Sequence, residues 1–321
     1  MDHLTTFDPF IIIRDMTSHL GEFAALLTTL FWTITALAFE TASKRIGSMH
    51  VNLLRLGVAG ILLSVFSYFY RGLFLPTDAD LHTWIWLAVS GIVGFIIGDY
   101  CLFKAYTITG ARVAMLLMTL APVFAAFTAW IMLGEVMSGK SMLAMIITLG
   151  GIALVIFTRT ADSSSGEVKS RRRYSMSYPI KGVVLGIIAA AGQGVGLVLS
   201  KYGMREYDPF AASHIRVITG FIGFAILFFI LGRWKELPTS FRDTKAMKWL
   251  VVGSIFGPFL GVSFSLMAVQ HTNAGIAQTI MSLTPVFIIP PAVLINKERV
   301  TVREIIGAVI AVCGAVMFFV W

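Results

Sequence analysis

A chain of 321 residues could hold two soluble domains, but 57% hydrophobic residues against 13% charged, with a mean hydropathy of +0.84, exclude an ordinary soluble fold. The net charge of +8 is carried in short tracts between apolar runs rather than along one face, which argues against nucleic-acid binding. Cys101 and Cys313 both fall inside apolar runs, which argues against a disulfide framework or a thiolate metal site.

Residues 1–21 open with MDHLTTFDPFIII, without Lys or Arg before a short apolar stretch and without a small-residue cleavage pattern after it; they are expected to form a tail rather than a cleaved signal. A helix that crosses a bilayer needs about 20 apolar residues. Such runs follow at 22–40, 50–70, 84–105, 111–133 and 139–158. The polar stretch 159–179, rich in Ser and Arg, reads as a solvated linker. Five more runs lie at 180–200, 210–231, 248–270, 275–295 and 302–321. The expected fold is therefore an all-α integral membrane protein of ten transmembrane helices, with a small-molecule substrate, the lipid bilayer as its solvent and its oligomeric state open.

The two sets of five repeat each other. A shift of 163 places Trp86 on Trp249, Gly94 on Gly257, Gly98 on Gly261, Thr109 on Thr272, Met118 on Met281, Pro122 on Pro285, Glu135 on Glu298 and Gly151 on Gly314. Toward the front of each half the register slips by two, where Arg55 matches Arg216. An odd number of spans per copy makes the second copy enter the membrane upside down. Inverted repeats (here 22–158 and 180–321) are an architecture of secondary transporters, because two like halves of opposite orientation provide two states of similar energy. Of the 25 Lys and Arg, 18 fall in loops after odd-numbered spans and 5 in the others. The positive-inside rule then places the 159–179 linker in the cytoplasm and both termini outside, in a plasma or bacterial inner membrane.

The segments LAPVFAAFTAWIMLGE (120–135) and LTPVFIIPPAVLINKE (283–298), each with Pro inside and Glu at the end, resemble the drug/metabolite transporter superfamily and specifically its EamA-type permeases. The resemblance covers the whole chain beyond the tail. It implies a carrier and leaves the solute open, since the superfamily spans exporters of amino acids and other small metabolites as well as sugar-nucleotide and phosphate-ester exchangers.

The candidate binding residues sit where polar groups interrupt the apolar faces. Met115, Thr119 and Pro122 share one helical face, and Gln278, Ser282 and Pro285 share the matching face of the repeat. Trp32 and Thr35 in the first span, Met118 in the fourth and Gln193 in the sixth complete the expected cavity lining. Pro122 and Pro285 are expected to shape their helices by freeing backbone carbonyls. Intramembrane charges are costly, so Glu40, Arg55, Asp99 and Lys104 are candidates for a gate or a coupling site, with inner salt bridging as the structural alternative. Lys201 and Arg216 are expected in an outer basic cluster able to attract an anion. HExxH, GxSxG and P-loop patterns are missing, so neither an enzyme nor an ATP-driven pump is expected, and no cofactor. The leading expectation is a secondary carrier exporting small metabolites such as amino acids. An anion exchanger is the alternative within transport; a channel or a non-transporting scaffold is the alternative outside it.

Overall fold

The computed structural model describes residues 19–109, 117–162, 179–288, 290–291 and 302–320. Most of the N-terminal tail and the linker, Met115 and Glu298 lie outside them, as does the Glu40 side chain. Helix is present in every apolar run: α1 (Leu20–Ile46), α2 (Ser48–Arg71), α3 (Leu81–Gly91, Ile92–Asp99 and Tyr100–Thr109), α4 (Ala121–Leu133) and α5 (Gly139–Asp162). The second half repeats them as α6 (Ile180–Met204), α7 (Pro209–Ile230), α8 (Thr244–Ser254, Ile255–Gly261 and Val262–His271), α9 (Ala274–Met281 and Thr284–Phe287) and α10 (Val302–Val320). Six of these segments are long and apolar enough to cross a membrane; Ala121–Leu133, Gly139–Leu154, Ala274–Phe287 and Ile305–Val320 are shorter apolar helices.

The packing is that of a protein whose solvent is apolar. On α1 the inward face carries Ala24, Ala25, Thr28, Thr29, Ala38 and Ala42, all nearly inaccessible, while Leu27, Leu30 and Ile34 point outward. Small inward residues let backbones approach where no hydrophobic force drives helices together, and the large residues face lipid tails. The α5–α10 crossing shows how close the backbones come. A Cβ on Gly151 would lie 2.4 Å from the Ala311 nitrogen, and one on its repeat mate Gly314 would lie 2.6 Å from Thr148 Oγ1.

The repeats interlock rather than sit side by side. In the first, α3 packs on α6: Thr83 Oγ1 donates to the Gly203 carbonyl at 3.0 Å, Ser90 Oγ donates to the Gly196 carbonyl at 2.6 Å, and Gly98 meets Gly192 backbone to backbone. In the second, α8 packs on α1, with Gly253 against Phe39, Gly257 against Thr35 and Gly261 against Trp32. Each copy's third helix thus completes the other copy.

Both third helices widen into a π-helical stretch, Ile92–Asp99 in α3 and Ile255–Gly261 in α8, whose starts are 163 residues apart. The extra residue per turn turns side chains away from the regular helical face, and such stretches concentrate at functional sites. The fourth and ninth spans depart from expectation at matched places. Neither is one unbroken helix: 3₁₀-type bonds run from Leu120 N–H to the Leu117 carbonyl (3.0 Å) and from Leu283 N–H to the Ile280 carbonyl (3.1 Å). Helix restarts at Ala121 and Thr284, which puts Pro122 and Pro285 in a first turn. There the missing proline N–H leaves no helical bond unmade. The prolines therefore mark helix starts and free no carbonyl in mid-helix.

Candidate functional site: a central cavity between the repeats

The matched breaks, the π-helical stretches and the interlocked first helices converge on one cavity of about 250 Å³. Trp32, Thr35 and Ala36 come from α1, Gln193 from α6, Met118 and Thr119 from the turn before α4, and Gln278, Met281, Ser282, Thr284 and Pro285 from α9. Arg55 of α2, with Phe95, Asp99 and Leu102 of α3, closes one side; Gly257 and Val262 of α8 close another. All seven residues expected to line a binding cavity are thus brought together from four places in the chain, although 250 residues separate the first from the last.

The hydroxyl groups are held in place by their own helices. Thr35 Oγ1 donates to the Phe31 carbonyl at 2.8 Å and Ser282 Oγ donates to the Gln278 carbonyl at 2.8 Å, so each offers the cavity its oxygen lone pairs rather than its proton. Thr29 Oγ1 reaches the Ile280 carbonyl at 3.1 Å and ties α1 to α9 just beside the break.

The charged wall is more constrained. The Arg55 Nη2 group donates to Asp99 Oδ2, and Gln193 Nε2 donates to Asp99 Oδ1 at 2.9 Å and to the Gly94 carbonyl at 3.3 Å. The Gly94 carbonyl and Asp99 both belong to the π-helical stretch, so the widened turn is what presents two acceptors to one Gln193 amide. Arg55 also lies 5.5 Å from the Phe39 ring centroid. Arg216, the repeat mate of Arg55, is buried with its guanidinium 5.0 Å from the Phe95 ring centroid, close enough to Asp99 to interact with it electrostatically. The Nε groups of both arginines are buried without a hydrogen-bond partner.

Away from the cavity a second polar network joins α1, α6 and α9 to the residues that follow α4 and α8. Lys201 Nζ of α6 pairs with Glu135 Oε1 at 2.5 Å and donates to the Thr272 carbonyl at 2.7 Å. Glu135 Oε2 accepts from the Ala274 N–H at 2.9 Å, at the start of α9, and Thr272 Oγ1 donates to Glu22 Oε1 of α1 at 2.7 Å.

The sequence profile of the EamA-like transporter family matches residues 19–157 and again 180–320. The chain belongs to the EamA-like transporter family. Its relatives include an uncharacterized transporter of Clostridium kluyveri, 27% identical over 72% of this chain and 71% of its own length. An uncharacterized transporter of Synechocystis is 22% identical over 86% of this chain and 82% of its own. An uncharacterized inner membrane transporter of Escherichia coli is 28% identical over 43% of this chain and 42% of its own. A crystal structure of a protein superposes with a TM-score of 0.70 over 94% of this chain and 96% of that one, at 17% identity, a likeness of fold alone.

Two expected placements differ within this EamA-like transporter. Lys104 does not join Arg55 and Asp99 in the cavity: it is exposed, with Nζ 3.2 Å from the Tyr100 hydroxyl and 5.3 Å from its ring centroid, because the π-helical stretch rotates the last part of α3 relative to the first. Lys201 and Arg216 do not form one basic cluster. Lys201 is neutralised by Glu135, whereas Arg216 turns inward onto α3, so among the described residues the two share no partner. Glu40 falls on α1, but its side chain lies outside the described residues.

Sequence reasoning passed over Phe95, Leu102 and Thr284 on the cavity wall, and Glu22 and Glu135 in the second network. Glu135 carried a signal, its repeat match to Glu298; the apolar wall residues carried none, since nothing in an apolar run distinguishes a side chain facing a cavity from one facing lipid.

Proposed function

We propose that this EamA-like transporter is a secondary-active carrier with ten transmembrane helices that exports a small amphipathic metabolite, an amino acid being the best fit, by alternating access between its two inverted repeats. The observation that carries this reading is the cavity itself. It is bounded by elements of both repeats, and the α4 and α9 breaks that shape it are related by the same 163-residue shift as the sequence. A Trp face, amide groups and hydroxyl oxygens suit a solute with one apolar and one polar end. The Arg55–Asp99 pair would orient the charged end. Under the positive-inside orientation Arg55 lies toward the cytoplasmic end and the Lys201–Glu135 network at the external end. That network would hold the external side shut while the cavity communicates with the cytoplasm. Asp99 is the candidate coupling group, and Pro122 and Pro285 mark the flexible points of the two discontinuous helices.

The test is solute counterflow in proteoliposomes loaded with single amino acids, with and without an imposed pH gradient. Saturable counterflow lost in the Gln278→Ala, Ser282→Ala double variant, with normal membrane insertion, is the expected result. Counterflow that the double variant leaves unchanged removes the site assignment, and non-saturable flux without counterflow favours a channel.

A further inference from the structure

We propose that the central cavity holds its solute by a carboxylate, which serves as the second counter-ion of Arg55 and Arg216. The inference rests on the reading of this cavity as the solute site and names the chemical group by which the solute is recognised there. Three features support it.

The first is a charge count. Arg55 and Asp99 are on the cavity wall, and the Arg216 guanidinium lies against the Phe95 ring of that wall, so two cations stand beside one carboxylate. Both Asp99 oxygens are already engaged, Oδ2 by Arg55 and Oδ1 by Gln193 at 2.9 Å, and Arg216 meets that carboxylate through space only. The Nε groups of both arginines are buried and have no hydrogen-bond partner. Charges inside the membrane are costly unless paired. Among the described residues the group is thus one positive charge in excess.

The second is the repeat. It places Arg55 on Arg216, and Asp99 on Val262. A chain that kept both copies of the pair would hold two arginines and two carboxylates. Val262 lines the same cavity as Asp99 and packs in one apolar cluster with Phe95 and with Val217, the chain neighbour of Arg216. The fourth member of the set is therefore an apolar side chain at a place that opens to the cavity. A solute carboxylate lying over Val262 supplies the charge that the second repeat lacks. As that carboxylate takes hydrogen bonds from Arg55, Asp99 is free to turn toward Arg216, and every charge is then paired.

The third is the shape of the site. Its volume of about 250 Å³ is below the roughly 300–1,000 Å³ of sites for drug-sized ligands, so the solute is small. Trp32, Leu102, Met118 and Met281 give it an apolar side for a hydrocarbon body. The planar guanidinium fork matches a carboxylate through two parallel hydrogen bonds. An amino acid meets these requirements, with its ammonium left to the lone pairs of Thr35 Oγ1 and Ser282 Oγ. A cationic amphipath does not, because among the described residues Asp99 is the one acid on the wall.

The test uses the full-length chain in a neutral detergent. Leucine, 4-methylpentanoate and phenylacetate, each against its own amide, are titrated by calorimetry. At least one acid is expected to bind saturably and about tenfold or more tighter than its amide. Val262→Asp supplies the second carboxylate from within and should weaken the acid by about tenfold or more, whereas Val262→Asn, of the same shape without the charge, should stay within about threefold. If Val262→Asp does not fold, Arg216→Gln asks the same question by removing the excess cation, and should weaken the acid as much. Amides that bind as well as their acids, acids that all fail to bind, or a Val262→Asp variant that behaves as Val262→Asn does would each overturn the proposal. Counterflow separates this inference from the carrier reading. Acids that bind as expected without counterflow remove the carrier and keep the site; leucinamide counterflow as fast as that of leucine keeps the carrier and removes the carboxylate requirement.

Discussion

Arg55 and Asp99 form an ion pair between α2 and α3 on the wall of the central cavity, and the second repeat reproduces only half of it. Arg216 stands where the repeat places a second Arg55, but Val262 stands where it would place a second Asp99. Among the described residues the two guanidinium groups therefore share one carboxylate, on the wall of the central cavity.

Replacing Asp99 by Asn should leave both arginines without a counter-ion. Breaking a buried pair from one side costs about 3–5 kcal/mol, so thermal stability in detergent should fall markedly and counterflow should be lost. Adding Arg55→Gln should restore much of the stability but not the transport. Equal stability of the single and double variants would show that the pair bears no buried charge cost.

At the α5–α10 crossing, Gly151→Val should destabilise by about 1–3 kcal/mol, because the new Cβ would meet Ala311 and Gly307 backbone atoms that cannot yield as a flexible side chain does. Among the described residues no atom lies within 4 Å of a Cβ added at Gly150, so Gly150→Ala is the control and should be neutral or better. Melting temperatures of the two variants side by side decide the matter.

The Lys201–Glu135 network should act as a closure. With Cys101 and Cys313 replaced by Ser, a Cys introduced at Ser282 in the cavity is expected to react with an externally added impermeant thiol reagent several-fold faster when Lys201→Met is present. The ion pair and the Thr272 contact are lost together in that variant, and the partly buried Glu135 is left without its cation. Unchanged reactivity would assign the network to static packing.

Asp243 lies outside the membrane segments, where the Ala246 N–H and then the Arg45 guanidinium hold its carboxyl below the usual carboxylate range. A depressed folded-state pKa means the stabilisation is complete above the ordinary aspartate pKa and disappears as pH falls through the depressed value. The stability difference between the wild type and Asp243→Ala should accordingly be largest near neutrality and vanish in acid. A difference that grows on acidification would contradict this assignment.

Much of the architecture was legible in the sequence because its causes are local. Runs of apolar residues long enough for a bilayer, polar breaks between them and a repeated register need no tertiary information, and they located helix in all ten runs. The polar residues that interrupt those runs, from Trp32 to Ser282, were equally visible, since a polar group in an apolar segment has few places to go but inward. Which charges meet was decided only by tertiary structure. Lys104 and Asp99 lie five residues apart on one helix, yet a π-helical stretch ending at Asp99 sends them to different surroundings. Lys201 and Glu135 are 66 residues apart and meet because α6 packs against α4 of the other repeat. Hydropathy and spacing specify how a segment sits in its solvent, one residue at a time. The pairing of buried charges depends on helix rotation and crossing, which the packing of small residues between helices sets and no single segment contains.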